Sequence, residues 1–169
     1  MSINSLQRKG LQSLLFLFFQ YCSFEEFSEE DRQLIDAARE AATRGYAPYS
    51  RFNVGAAVRL IDGTIVTGNN QENAAYPSGI CAERTALFWA GSQHPDKAVV
   101  TLAIAARNDS GELPVPIPPC GACRQVILET EQRHNRPMRI ILFGTRESYL
   151  IEDGCEALLP LRFDADFLE

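Results

Sequence analysis

The chain has 169 residues, 46% of them hydrophobic, which suits one well-buried core and is too short for two comfortable domains. Its net charge of -6 supplies no basic footprint for gripping phosphate backbones, so polymeric nucleic acid is not an expected partner. Five cysteines, an odd number, argue against a disulfide framework and for a reducing, cytoplasmic setting.

Arg8 and Lys9 precede Leu11 and the apolar run Leu14-Leu15-Phe16-Leu17-Phe18-Phe19. The run is far short of the roughly 20 residues that a spanning helix needs, so no membrane segment is expected. It begins like a secretory signal, but no small-x-small cleavage site follows cleanly. The reading preferred is an amphipathic helix packed on the domain or on a partner, with a signal peptide or a mobile extension as alternatives. Residues 1–27 are therefore set apart as an extension of unknown role, and residues 28–169 as the catalytic domain.

Ser28 can cap a helix whose first turn, Glu29-Glu30-Asp31, suits the positive end of the helix dipole. Leu34, Ile35, Ala38, Ala41 and Ala42 then recur at helical spacing. From Phe52 to Leu60 the pattern alternates, Asp62-Gly63 forms a tight turn, and Thr64 to Gly68 returns, which predicts a hairpin. A helix from about Cys81 to Ala90, a buried strand over 98–106, a helix from Cys120 to about Gln132 and a strand over 139–143 follow. Asn108 to Pro119 is the longest loop. The expected fold is a single-domain α/β/α sandwich, three layers around a mixed sheet of about five strands.

Cys81-Ala82-Glu83 and Pro119-Cys120-Gly121-Ala122-Cys123 carry the chemistry. Cysteines three apart lie on one side of a first helical turn and can hold one ion together, and Cys81 brings a third thiolate. Three protein ligands leave one tetrahedral position of zinc open to water, whereas four would close it. Glu83, two residues after a ligand, is placed to shuttle protons. The pairing of C-x-E with P-C-x-x-C is the signature of zinc deaminases acting on nucleobases. On this reading Cys81 and Cys120 each open a helix, whose dipole stabilises the thiolate. Three thiolates and Zn²⁺ still sum to -1, and Arg84 is positioned to donate to a sulfur and offset that excess; otherwise it is a surface arginine.

Two alternatives remain at this point. One is a closed structural zinc with Cys155, His94 or His134 as fourth ligand; the other is a redox pair, Cys120 with Cys123, which leaves Cys81 and Glu83 without a role. Cys22 and Cys155 are assigned no chemistry.

The blocks Phe52-Asn53-Val54-Gly55-Ala56-Ala57, Asn70-Gln71-Glu72-Asn73-Ala74-Ala75-Tyr76-Pro77, Cys81-Ala82-Glu83-Arg84-Thr85-Ala86 and Pro119-Cys120-Gly121-Ala122-Cys123-Arg124-Gln125, in this order, closely resemble those of the small, homotetrameric cytidine deaminases. The resemblance runs from about Ser28 to the C-terminus. It implies one zinc per subunit and hydrolytic deamination of cytidine and deoxycytidine to uridine and deoxyuridine, in pyrimidine salvage. It implies Glu83 as the acid/base, Asn70 and Glu72 on the ribose 3'-hydroxyl, Phe52 against the base, and Phe163 entering a neighbouring subunit's site in a tetramer with shared sites. A carboxylate accepts strongly from a hydroxyl and repels phosphate, so Glu72 independently favours a nucleoside over a nucleotide. Without the resemblance, Phe52 and Phe163 read as core aromatics. The departures are a longer, proline-rich 110–119 stretch, Ala75, and the N-terminal extension. The rival readings are a related zinc deaminase acting on another cytosine nucleoside such as blasticidin, and a catalytically silent zinc scaffold.

Overall fold

The computed structural model describes residues 18–21 and 23–168. Its sheet holds seven strands: β1 (Phe18–Tyr21), β2 (Asn53–Leu60), β3 (Ile65–Asn69), β4 (Val99–Asn108), β5 (Gly111–Glu112), β6 (Arg139–Leu142) and β7 (Ser148–Ile151). Six lie in the order β1-β7-β6-β4-β2-β3, and β5 pairs with the end of β4. β4 and β6 run parallel while the remaining pairs are antiparallel, so the sheet is mixed, as expected.

Three helices cover it: α1 (Glu29–Ala42), α2 (Ala82–Gln93) and α3 (Gly121–Arg133). Strand residues alternate between faces, and this alternation divides the core in two. On one face Ala56, Val58, Leu102, Ile104 and Ile140 meet Ala82 and Ala86 of α2 and Ile127 and Leu128 of α3. On the other, Ala57, Ala103, Ala105 and Ile141 meet Leu34, Ile35 and Ala38 of α1. The three-layer sandwich of the sequence reading is thus the observed one. Ser28 caps α1 by accepting from the Asp31 amide at 3.1 Å. The buried Asp31 carboxylate in turn receives both Arg139 terminal nitrogens at 3.0 Å, tying α1 to β6.

Three features differ from the expectation. β1, β5 and β7 raise the strand number from about five to seven. Phe18–Tyr21 is a strand paired with β7, not the end of a helix, and the rest of the expected helix, Leu14 to Leu17, lies outside the described residues, as does Cys22. The backbone groups of the β7 edge attract a partner strand, and that demand overrides the helical reading of an apolar run. Tyr21, Phe24 and Phe27 then pack onto the α1 face of the core, ahead of residue 28. Among the described residues no helix is long and apolar enough to cross a membrane.

The 108–119 segment is more ordered than its loop composition suggests. It turns back at Asp109-Ser110 to form β5. Arg39 of α1 grips Glu112 through two hydrogen bonds of 2.7 and 2.9 Å and lies over the rings of Phe24 and Phe143. Further on, the Pro114 carbonyl accepts from the Arg146 amide, and the Leu113 carbonyl from that of Thr145. These ties deliver Ile117, Pro118 and Cys120 to the end of the sheet.

Two glycines set the height of the helices above it. A Cβ on Gly55 of β2 would meet the Ala38 carbonyl at 2.0 Å, and one on Gly68 of β3 would meet the Ala86 amide at 2.4 Å, so α1 and α2 rest directly on strand backbone. Gly68→Ala is expected to lift α2 and lower unfolding stability by about 2–3 kcal/mol, the scale of an overpacked core. Urea denaturation measures this, and an unchanged midpoint would mean that the contact is not tight.

Candidate active site

Cys81 and Cys120 are the residues immediately before α2 and α3, both with extended backbone (ψ 155° and 166°). Their carbonyls accept the first helical hydrogen bonds, from the Thr85 and Arg124 amides. Neither thiol caps its own helix, which leaves both sulfurs directed at each other across the gap between the two N-termini. The Cys81 and Cys120 sulfurs are 3.8 Å apart, those of Cys120 and Cys123 3.4 Å, and all three lie within 4.8 Å of one another.

This spacing fits zinc. Sulfurs about 2.3 Å from a tetrahedral ion stand about 3.8 Å apart. Among the described residues no fourth histidine, cysteine or carboxylate joins the cluster. Cys155 is buried and donates its thiol to the Arg124 carbonyl at 3.0 Å. His94 and His134 terminate α2 and α3, at the ends away from the cysteines. Among the described residues the closed-site alternative therefore finds no fourth ligand, and a zinc ion held by these three sulfurs would keep one position open.

The proton of Cys123 is shared towards Cys81, which brings Cys81 down to about 5 and pushes Cys123 up. Arg84 reinforces the Cys81 thiolate: its Nη2 lies 3.7 Å from the sulfur, and its Nε is buried without a hydrogen-bond partner. Glu83, only 4% exposed, faces the same cavity. Burial raises its pKa above the usual carboxylate value, and the negative charge at Cys81 adds to this.

The cavity has a volume of about 350 Å³ and extends from Cys81, Glu83 and Cys120 to Asn70 and Glu72, with Val54, Ile80, Ile117 and Pro118 forming its apolar wall. The Glu72 carboxylate receives three donors: the Tyr49 amide at 3.0 Å, the Ser50 amide at 3.2 Å and the Ser50 hydroxyl at 2.5 Å. These bonds hold its pKa below the usual value, with the Ser50 hydroxyl as the largest influence. Asn70 is committed to the backbone: its Oδ1 accepts from the Val54 amide at 2.8 Å, and its Nδ2 donates to the Phe52 carbonyl at 2.9 Å. It fixes the entry to β2 as well as lining the cavity.

The structure thus brings Cys81, Cys120, Glu83, Arg84, Asn70 and Glu72 to one cavity, with the buried Cys123 sulfur 3.4 Å from that of Cys120. Phe52 stands next to it, half-buried, and is not part of its lining. Phe163 lies apart, 59% exposed and stacked on Phe167 at 5.7 Å, with its carbonyl accepting from Gln125. Two contributors went unassigned in the sequence. Ser50 is signalled only by standing two residues before Phe52. Arg124 follows a ligand directly and joins the Pro119 and Leu158 carbonyls, both at 2.9 Å, thereby tying the C-terminal segment to the cysteine loop.

The family model described as "Cytidine and deoxycytidylate deaminase zinc-binding region" matches residues 28–135. The cytidine deaminase of Halalkalibacterium halodurans is 42% identical over 137 residues, covering 80% of this chain and 96% of that protein. That of Sporosarcina psychrophila is 46% identical over 97 residues, covering 57% and 67%. The crystal structure of cytidine deaminase from Burkholderia pseudomallei superposes with a TM-score of 0.67 at 34% identity, covering 81% of this chain and all of that one. The chain belongs to the cytidine and deoxycytidylate deaminase family, whose zinc-binding region it carries.

Metal analysis distinguishes the cysteines. Cys120→Ser is expected to lose zinc and, because binding is coupled to folding, stability with it; Cys155→Ser is expected to keep a full complement. Zinc loss in the Cys155 variant would return it to the ligand set.

Proposed function

We propose that this family member catalyses the zinc-dependent hydrolytic deamination of cytidine and deoxycytidine to uridine and deoxyuridine, with release of ammonia. The observation that carries the reading is a cluster of three convergent sulfurs, two of them lining one cavity together with a buried carboxylate at 83 and an ionised carboxylate at 72. Zinc held by Cys81, Cys120 and Cys123 would supply the Lewis acidity that brings the pKa of a water from 15.7 to about 7.

The proton work belongs to Glu83. Its raised pKa suits a group that must take a proton from water and hand it on at neutral pH. It gives that proton to ring nitrogen N3, which makes C4 electrophilic as the C–O bond forms. It then carries a second proton to the amino group, so that the C–N bond breaks with ammonia as the leaving group. Arg84 and the N-termini of α2 and α3 offset the charge of the thiolates. Glu72 accepts from the ribose 3'-hydroxyl beside Asn70, and its charge turns phosphate away. Phe52 packs against the base.

Phe163 fits a role in a neighbouring subunit's site, within a homotetramer that shares its sites. Its exposure supports this, as do Phe88 and Trp89, both more than half exposed on α2. The setting is cytoplasmic pyrimidine salvage: the cysteines at 81, 120, 123 and 155 are all unpaired by disulfides. A silent scaffold has no use for a buried carboxylate beside an open metal position.

Glu83→Gln is expected to retain zinc and lose about 10²- to 10⁴-fold in turnover, read as the decline of cytosine absorbance; an unchanged rate would remove Glu83 from the mechanism. In the same assay cytidine and deoxycytidine should be turned over far faster than dCMP, free cytosine or blasticidin. Preference for any of those three would overturn the substrate assignment.

A further inference from the structure

Glu72 can discriminate between sugars only if its carboxylate is held in one orientation and stays ionised. The Tyr49 and Ser50 amides both donate to Oε2, which anchors one oxygen and leaves Oε1 free to swing. Among the described residues, Oε1 is held by the Ser50 hydroxyl alone. The direction of that bond is unambiguous. The hydroxyl has one proton, an ionised carboxylate can only accept, and the remaining partner of Ser50 Oγ, the Phe52 amide at 3.0 Å, can only donate. Ser50 therefore fixes the plane of Glu72 and, through its lone pair, the backbone of Phe52.

The surrounding turn maintains this arrangement. Arg51, between Ser50 and Phe52, has a left-handed backbone (φ 54°) and pairs with Asp109 at 3.2 Å. On the far side of Phe52, Asn70 takes its carbonyl. The segment between Tyr49 and Val54 is thus pinned at both ends to two polar residues of the cavity wall, to Glu72 through Ser50 and to Asn70 directly.

We propose that Ser50 is the residue that sets sugar specificity, by orienting Glu72 to receive the ribose 3'-hydroxyl. The proposal rests on the reading of Glu72 as the sugar acceptor. Ser50 is a positioning residue, without contact to the reacting atoms. Ser50 also leaves Oε1 a lone pair free for the substrate hydroxyl, so the two donors share one oxygen without competing.

The test compares cytidine with 3'-deoxycytidine in the zinc-loaded enzyme and in its Ser50→Ala and Ser50→Thr variants. The unmodified enzyme should favour cytidine. Ser50→Ala should lose about tenfold in kcat/KM on cytidine, the scale of one charge-assisted hydrogen bond, mainly through KM. On 3'-deoxycytidine, which has no hydroxyl to read, the same substitution should cost markedly less, only what the lost tie from the Phe52 amide to Ser50 Oγ costs both substrates. Ser50→Thr, which keeps the hydroxyl, should behave as the unmodified enzyme. An equal fall on both substrates, or no fall on cytidine, overturns the inference while leaving Glu72 in place. Equal turnover of the two substrates by the unmodified enzyme instead overturns the Glu72 reading, and this inference with it.

Discussion

Three sulfurs within reach of one ion, beside a buried carboxylate, concentrate more negative charge than a protein interior tolerates unaided. Much of the structure answers that repulsion. Two helices start at the sulfurs, so their unsatisfied amides and positive dipole ends point where charge accumulates. Arg84 adds a full positive charge at Cys81. For both helices to start at the same point, α2 must lie low on the sheet, and Gly68 permits this. The cysteine loop must also arrive at the right depth, which is governed by the fully buried Pro119 and the hydrogen bond from Arg124 to its carbonyl.

The cavity has two ends with different electrostatics. At the end lined by the cysteines, burial raises the pKa of Glu83 above the usual carboxylate value. At the other end, three donors hold the pKa of Glu72 below the usual value and favour its ionised form. On the proposed function the same functional group serves as a proton carrier in one place and as a fixed acceptor in the other, and the local environment makes the difference.

The metal centre was legible in the sequence because its geometry is local. Cys120 and Cys123 sit on one helical turn, and Cys81 and Glu83 on another, so spacing determines which side chains share a face. The hairpin of β2 and β3 and the three helices were legible for the same reason, from periodicity and caps. The strands that escaped notice are either very short or depend on a distant partner. β7 has four residues and β5 two, too short to show a period, and Phe18–Tyr21 becomes a strand only because β7 offers an open edge. Ser50 and the second role of Asn70 were invisible on similar grounds. A serine in a turn carries no mark of the carboxylate 22 positions away that it holds.

The pairing of β1 with β7 joins segments about 130 positions apart, nearly the two limits of the chain. Contacts of such separation are slow to close and reward the chain only late in folding. During synthesis the α1 helix and the β2–β3 hairpin emerge with their near neighbours, but β1 must wait until β7 leaves the ribosome. Until then its apolar residues have no place in the sheet, and the growing chain presents them to whatever binds nascent hydrophobic segments.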